Sequence, residues 1–193
     1  MQENVSRWLI AGWLSQGIWQ LLFTIETHVS LALCAPVLIF GAFAFIRALL
    51  ACSDVPQSPH SVSGFLLVTS TAINAAWLTV AASLAVLVAL TANLQLQASL
   101  TPVAGALAVV VAAVGATLTL RESSAAYSLT LLWAFWAVHE KNGDGQLLDV
   151  LALGCSLLFA VLTIAVGAKN VLRKQHQAAE EAGAADGETL LQS

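Results

Sequence analysis

The sequence predicts an all-α fold, a polytopic transmembrane bundle in which six helices are favoured, and three observations predict it. Of 193 residues, 59% are hydrophobic and only 9% are charged, and mean hydropathy is +0.83; a soluble domain is about a quarter charged. The apolar residues fall into runs of about 20, the length a helix needs to cross hydrocarbon. No run alternates with the period of two that a membrane β-barrel strand requires. Backbone amides in lipid must bond within their own segment, so these runs are helices.

The spans lie at roughly 8–25, 29–50, 64–92, 102–120, 124–140 and 147–168, judged by length and hydropathy. The second, third, fourth and sixth carry almost no charge inside. The first holds Ser15, Gln16 and Gln20 among Trp8, Trp13 and Trp19; an interfacial helix is its competing reading. The third begins with Thr69, Ser70, Thr71 and Asn74, polar enough to predict a tilted or distorted segment facing protein. Between the spans, Asp54, Pro56, Ser58, Pro59 and Ser61 make a proline-punctuated loop, and Asn142, Gly143, Asp144 and Gly145 make a tight turn. Glu26 to His28 and Arg121 to Ser123 are shorter still, which makes successive helices antiparallel neighbours.

Charge tests this topology independently, because Lys and Arg favour the cytosolic side of short loops. Six spans place Arg7, Arg47, Arg121, Lys169, Arg173 and Lys174 on one side and only Lys141 on the other. Both termini are then cytosolic. A five-helix version with an external amino terminus, which moves Arg7 across, is the alternative. No small-residue cleavage site follows a convincing apolar core, so no cleaved signal peptide is expected. Residues 1–168 form the bundle; 169–193 turn basic and then acidic, a composition that predicts a short helical extension and a largely disordered cytosolic tail.

A net charge of -4 excludes a nucleic-acid partner, which would demand a basic stripe. Cys34, Cys52 and Cys155 are too far apart for a disulfide framework or a zinc site. There is no glycine-rich phosphate loop and no nucleophile elbow, so no catalytic residue, metal or cofactor is indicated and the chain is read as a non-enzyme. Glu140, Asn142, Asp144 and Gly145 resemble the start of a calcium loop, but its twelfth position is Leu151 where a bidentate Glu is needed. Glu26, His28, His139, Glu140, Lys141, Asp144 and Asp149 gather at the other helix ends and read as solvated loop charges.

Intramembrane polar residues are either functional or interhelical glue. Asn74 shares a helix face with Ser70 and Trp77; a polar anchor in a cavity competes with a hydrogen bond that holds helices together, and the second is favoured. Gln16 and Gln20 pose the same choice. Trp133 lies near mid-helix, with Trp136, Tyr127 and His139 on roughly the same side, as one wall of an internal aromatic pocket or as ordinary core packing. Trp8 and Trp136 suit interfacial anchors. Ala81, Ala85 and Ala89, with Ala104, Ala108, Ala112 and Ala116, offer small faces for packing within the bundle or in a homo-oligomer.

Three stretches carry a family resemblance: "WLSQGIWQLLFTIETHVSLALCAPVLIFGAFAFIRALL" from Trp13 to Leu50, "GFLLVTSTAINAAWLTVAASLAVLV" around Trp77, and "AYSLTLLWAFWAVHEKN" around Trp133. They resemble the tryptophan-rich TspO/MBR, or translocator-protein-like, membrane proteins. That family's proline-rich amino-terminal segment has no counterpart here, and its members have five helices. The resemblance implies a bundle that binds or transports a flat apolar ligand, a tetrapyrrole or sterol, with Asn74, Trp77 and Trp133 as ligand-binding residues. The partners expected are the lipid bilayer and such a ligand; the alternative function is a non-catalytic structural or interaction subunit of a membrane complex.

Overall fold

Each apolar run can satisfy its backbone only by bonding to itself, and each is a helix in the computed structural model, which describes residues 2–53, 62–94, 100–142 and 147–191. The order is α1 (Gln2–Ile25), α2 (His28–Ser53), α3 (Val62–Leu94), α4 (Leu100–Glu122), α5 (Ala125–Asn142) and α6 (Leu147–Leu191). No strand occurs among the described residues. The proline loop at 54–61 and the glycine turn at 143–146 lie outside them.

Two of the connections are built the same way. Glu26 closes α1 with φ of 55° and Ser123 closes α4 with φ of 49°, left-handed positions that end a helix. At the second, the Ser124 amide donates back to the Thr119 carbonyl at 3.3 Å, the six-to-one bond of a Schellman motif. A hydroxyl residue then caps the next helix. Thr27 Oγ1 accepts from the Ser30 amide at 3.1 Å while Ser30 Oγ accepts from the Thr27 amide at 3.0 Å, a reciprocal box with serine in the place of Glu. Ser124 Oγ accepts from the Tyr127 amide at 3.3 Å. Turns this short force α1 against α2 and α4 toward α5.

The helices alternate in direction. Phe45 of α2 lies over Gly12 of α1, and Ser15 of α1 lies against Gly41 of α2, so these two run antiparallel. Along α5 and α6, Ser123 meets Asn170, Ser128 meets Phe159, and His139 meets Asp149. Helix α4 runs parallel to α6, with Gly105 facing Leu151 and Gly115 facing Phe159. Among the described residues, α2, α3, α4 and α6 are long and apolar enough to cross a membrane. Helices α1 and α5 fall short by composition, yet each lies lengthwise along a spanning neighbour, which places them in the bundle and not flat on its surface. Arg7, Arg47, Arg121 and Lys169 thus share one end and His139 the other.

The core runs through all these contacts, from Cys34, Leu38 and Phe45 on α2 through Ala72, Ala75 and Leu78 on α3 to Tyr127 and Leu131 on α5 and Phe159 on α6. The polar start of α3 lies within one continuous helix. Thr71 and Thr79 donate to the carbonyls of Leu67 and Ala75 at 2.7 Å each, satisfying their hydroxyls within the helix. Of the two alanine stripes, Ala85 and Ala112 are buried and Ala81, Ala89, Ala104, Ala108 and Ala116 half-buried. Helix α6 continues past the bundle to Leu191, in keeping with Ala, Glu, Gln, Lys and Arg as strong helix formers and with His176 paired to Glu180 at 3.3 Å one turn on.

A side chain at Gly115 would overlap Leu131 and stand 2.9 Å from Phe159, whereas at Gly154 nothing lies within 4 Å. Gly115→Val is therefore expected to destabilise the detergent-solubilised protein by about 1–3 kcal/mol. Gly154→Ala is expected to leave it unchanged or stabilise it by about 0.5–1 kcal/mol. Thermal unfolding of both variants beside the parent checks the pair.

Candidate functional site

The middle of the bundle carries the residues that sequence reasoning singled out, but it divides them. Asn74, half-buried on α3, accepts from Gln16 Nε2 of α1 at 3.0 Å and donates from its own Nδ2 to the Ser70 carbonyl at 2.9 Å. It is an interhelical clamp, with both ends of its amide engaged. Gln20, one turn beyond Gln16, is exposed. The clamp joins α1 to α3 across lipid-depth backbone, where no water competes for the bond.

Trp77, one turn from Asn74, is 41% exposed, and Trp133 of α5 is 56% exposed. Their rings approach to 5.6 Å between centroids at an interplanar angle of 35°, within the range of favourable aromatic pairs. Trp133 is therefore neither core packing nor the wall of an enclosed pocket: it forms, with Trp77, Ile73, Leu129 and Thr130, an open groove on the outer face between α3 and α5. Tyr127 does not share that side. Six positions earlier on the same helix, it turns inward, wholly buried, with its hydroxyl 3.5 Å from Thr79 Oγ1.

Trp77 also closes a second recess of about 180 Å³, bounded by Trp19 and Phe23 of α1, Cys34 and Leu38 of α2, and Ala81 of α3. Sequence reasoning missed Trp19 as its neighbour. The indole of Trp77 is the wall common to the recess and the groove, and the lining of both is almost entirely apolar. Among the described residues neither Trp77 nor Trp133 has a hydrogen-bond partner for its indole N–H.

The charges at the far end do not all behave as solvated loop groups. Asp149, in the first turn of α6, is 6% exposed and hydrogen-bonded to His139 Nδ1 of α5, a link that ties the two ends of the hairpin together. The Trp136 ring stands edge-on to His139 at 5.6 Å. No group of three or more His, Cys, Asp or Glu suited to a metal occurs among the described residues. Asp144 lies outside them.

Breaking the clamp has a measurable cost. Asn74→Ala and Gln16→Ala are each expected to destabilise the protein by about 0.6–1.7 kcal/mol, the range found for interhelical hydrogen bonds in membranes. The double variant should lose little more than either single one, since both remove the same bond; additive losses in thermal unfolding would show that the amides act separately.

No curated protein and no solved structure matches the chain. The model of the TSPO-like protein family matches residues 1–167, which takes in all of α1 to α5 and most of the membrane-spanning stretch of α6, Leu147–Arg173. With four helices able to cross a bilayer and a matched region covering most of its length, the chain is an integral membrane protein that belongs to the TSPO-like protein family.

Proposed function

We propose that the protein is a non-catalytic binder of a flat apolar ligand, of the tetrapyrrole or sterol kind, that reaches it sideways through the bilayer. The observation that carries this reading is the outward-facing Trp77–Trp133 pair. Tryptophan is favoured at the headgroup level, where its N–H finds acceptors. Trp77 and Trp133 instead sit near the middles of α3 and α5, at a depth where hydrocarbon offers none. An unpaired donor there is costly. A ligand with a rigid apolar face and a carbonyl, carboxylate or hydroxyl oxygen supplies both the surface the rings stack on and the acceptor they lack. Family membership points the same way, and Asn74 holds the floor of the site in place without contacting the ligand.

The basic end, with Arg7, Arg47, Arg121 and Lys169, is read as cytosolic because cytosolic loops collect Lys and Arg.

Titration of a free-base porphyrin and of a fluorescent sterol into the purified protein tests the reading, with the ligand's own absorbance or emission as signal. At least one is expected to bind saturably. Trp77→Ala and Trp133→Ala should each weaken it by about tenfold, as loss of an aromatic partner and its packing area predicts. Trp136→Phe, directed at His139, should leave affinity unchanged. Equal affinity across all variants, or no saturable binding of either probe, would overturn the proposal.

A further inference from the structure

We infer that Arg47, Trp8 and the outer face of α2 form a site for the headgroup phosphate of an anionic glycerophospholipid. Arg47 is a charge inside a membrane span: the apolar stretch of α2 runs from His28 to Cys52, and Arg47 stands five residues before its end, about 7 Å in at the helical rise. It faces lipid, exposed on the outer side of the helix. A cation at this depth needs a partner.

The partner within the protein is only partial. The guanidinium lies 5.9 Å from the centroid of the Trp8 ring, and Trp8 stands edge-on to Phe43 at 5.5 Å and 87°. A cation over an indole face is held and oriented without being neutralised. Among the described residues, the carboxylates nearest this end are committed elsewhere: Glu3 pairs with Arg7 at 3.8 Å and Glu122 with Arg121 at 3.3 Å. Among the described residues no carboxylate lies within ion-pairing distance of Arg47. Among the described residues the guanidinium fork thus keeps its donors for a further oxygen acceptor, and a phosphodiester fits that fork bidentately.

The surface below Arg47 supplies the remainder of a lipid's chemistry. Phe43, one turn below Arg47, and Phe40 and Ile39, together one turn further, are all exposed on that side of α2. They make an apolar strip that descends from the guanidinium toward the bilayer centre, along which an acyl chain can lie. Charge chooses among phospholipids. Lys169 and Arg173 share the end with Arg47, beside the Arg7–Glu3 and Arg121–Glu122 pairs, so the local field favours a headgroup of net negative charge over a zwitterionic one whose choline would be repelled.

The test reconstitutes the full chain in nanodiscs holding equal parts of phosphatidylglycerol and phosphatidylcholine, releases it into mild detergent, and counts retained lipids by native mass spectrometry. The parent is expected to retain phosphatidylglycerol preferentially. Arg47→Gln should reduce that preference about tenfold, the loss of a charge-assisted bond. Arg7→Gln, which removes a charge from the same end but one already paired, should change it less than about twofold. Trp8→Ala should give a partial loss, providing a second readout if Arg47→Gln folds poorly. Equal losses for Arg47→Gln and Arg7→Gln would mean a diffuse surface potential and would overturn the site. So would absence of preference in the parent, or an unchanged preference in Arg47→Gln. Displacement of the lipid by inorganic phosphate alone, at matching concentration, would overturn the lipid as occupant in favour of a free anion.

Discussion

The bundle rests on how closely its helices approach one another, because in lipid no hydrophobic force drives one apolar helix onto another. Dispersion and interhelical hydrogen bonds must do so, and both fall off steeply with distance. Small residues set that distance. Gly12 admits the Phe45 ring, Gly41 admits Ser15, and Gly115 admits Leu131 together with Phe159. Gly12 and Gly41 serve the α1–α2 pair and Gly115 the α4–α5–α6 trio, so together they fix α1 on α2 and α4 against α5 and α6. The polar bonds are then placed by the packing: Gln16 reaches Asn74, and Ser128 Oγ reaches the Phe159 carbonyl at 3.0 Å while receiving a bond from Thr163 at 2.9 Å.

The same constraint explains how two helices of modest hydropathy hold their places. Helix α1 carries Gln16 and Gln20, and α5 has only 18 residues and ends in His139 and Lys141. Each is tied to a stronger partner. Helix α1 hangs on α2 through a capped two-residue turn and two glycine contacts, and its central amide is absorbed by α3. Helix α5 is capped by Ser124 at its start, while Lys169 and Asn170 of α6 donate to Ser123 at 3.3 and 3.0 Å; its far end is held by the His139–Asp149 bond. Polar residues that weaken a span by composition are thus the ones that fasten it to its neighbours.

This bears on what could be read from the sequence. The number and order of helices were legible, because length, hydropathy and the Lys and Arg partition all depend on the bilayer and little on packing. Asn74 was legible as glue, since an amide at that depth must find a partner, though nothing in the spacing named Gln16. The faces of the helices were not legible. In water an apolar stripe marks the inside, but in lipid both sides of a helix are apolar, so Trp133 and Tyr127 look alike in sequence and differ completely in exposure. The buried Asp149 was hidden for a related reason: a carboxylate beside a loop reads as solvated until a histidine ten residues earlier is folded back onto it.

The exposed tryptophans therefore carry a meaning that they would not have in a soluble protein. There, a half-exposed Trp pair is surface area to be covered. Here lipid already covers it, and apolar burial alone gives a ligand no advantage over an acyl chain. What distinguishes the groove from the rest of the lipid-facing surface is rigidity and polarity. Two indoles 5.6 Å apart and tilted at 35° present aromatic faces that flexible chains match poorly, and their N–H donors find no acceptor in hydrocarbon. On the proposed reading, a rigid planar molecule bearing an oxygen would gain on both counts over the lipid it displaces. Trp77 adds a geometric element, because its other side closes the recess beneath Trp19 and Phe23. The one indole is thus the wall common to groove and recess, which is why the proposed site turns on Trp77.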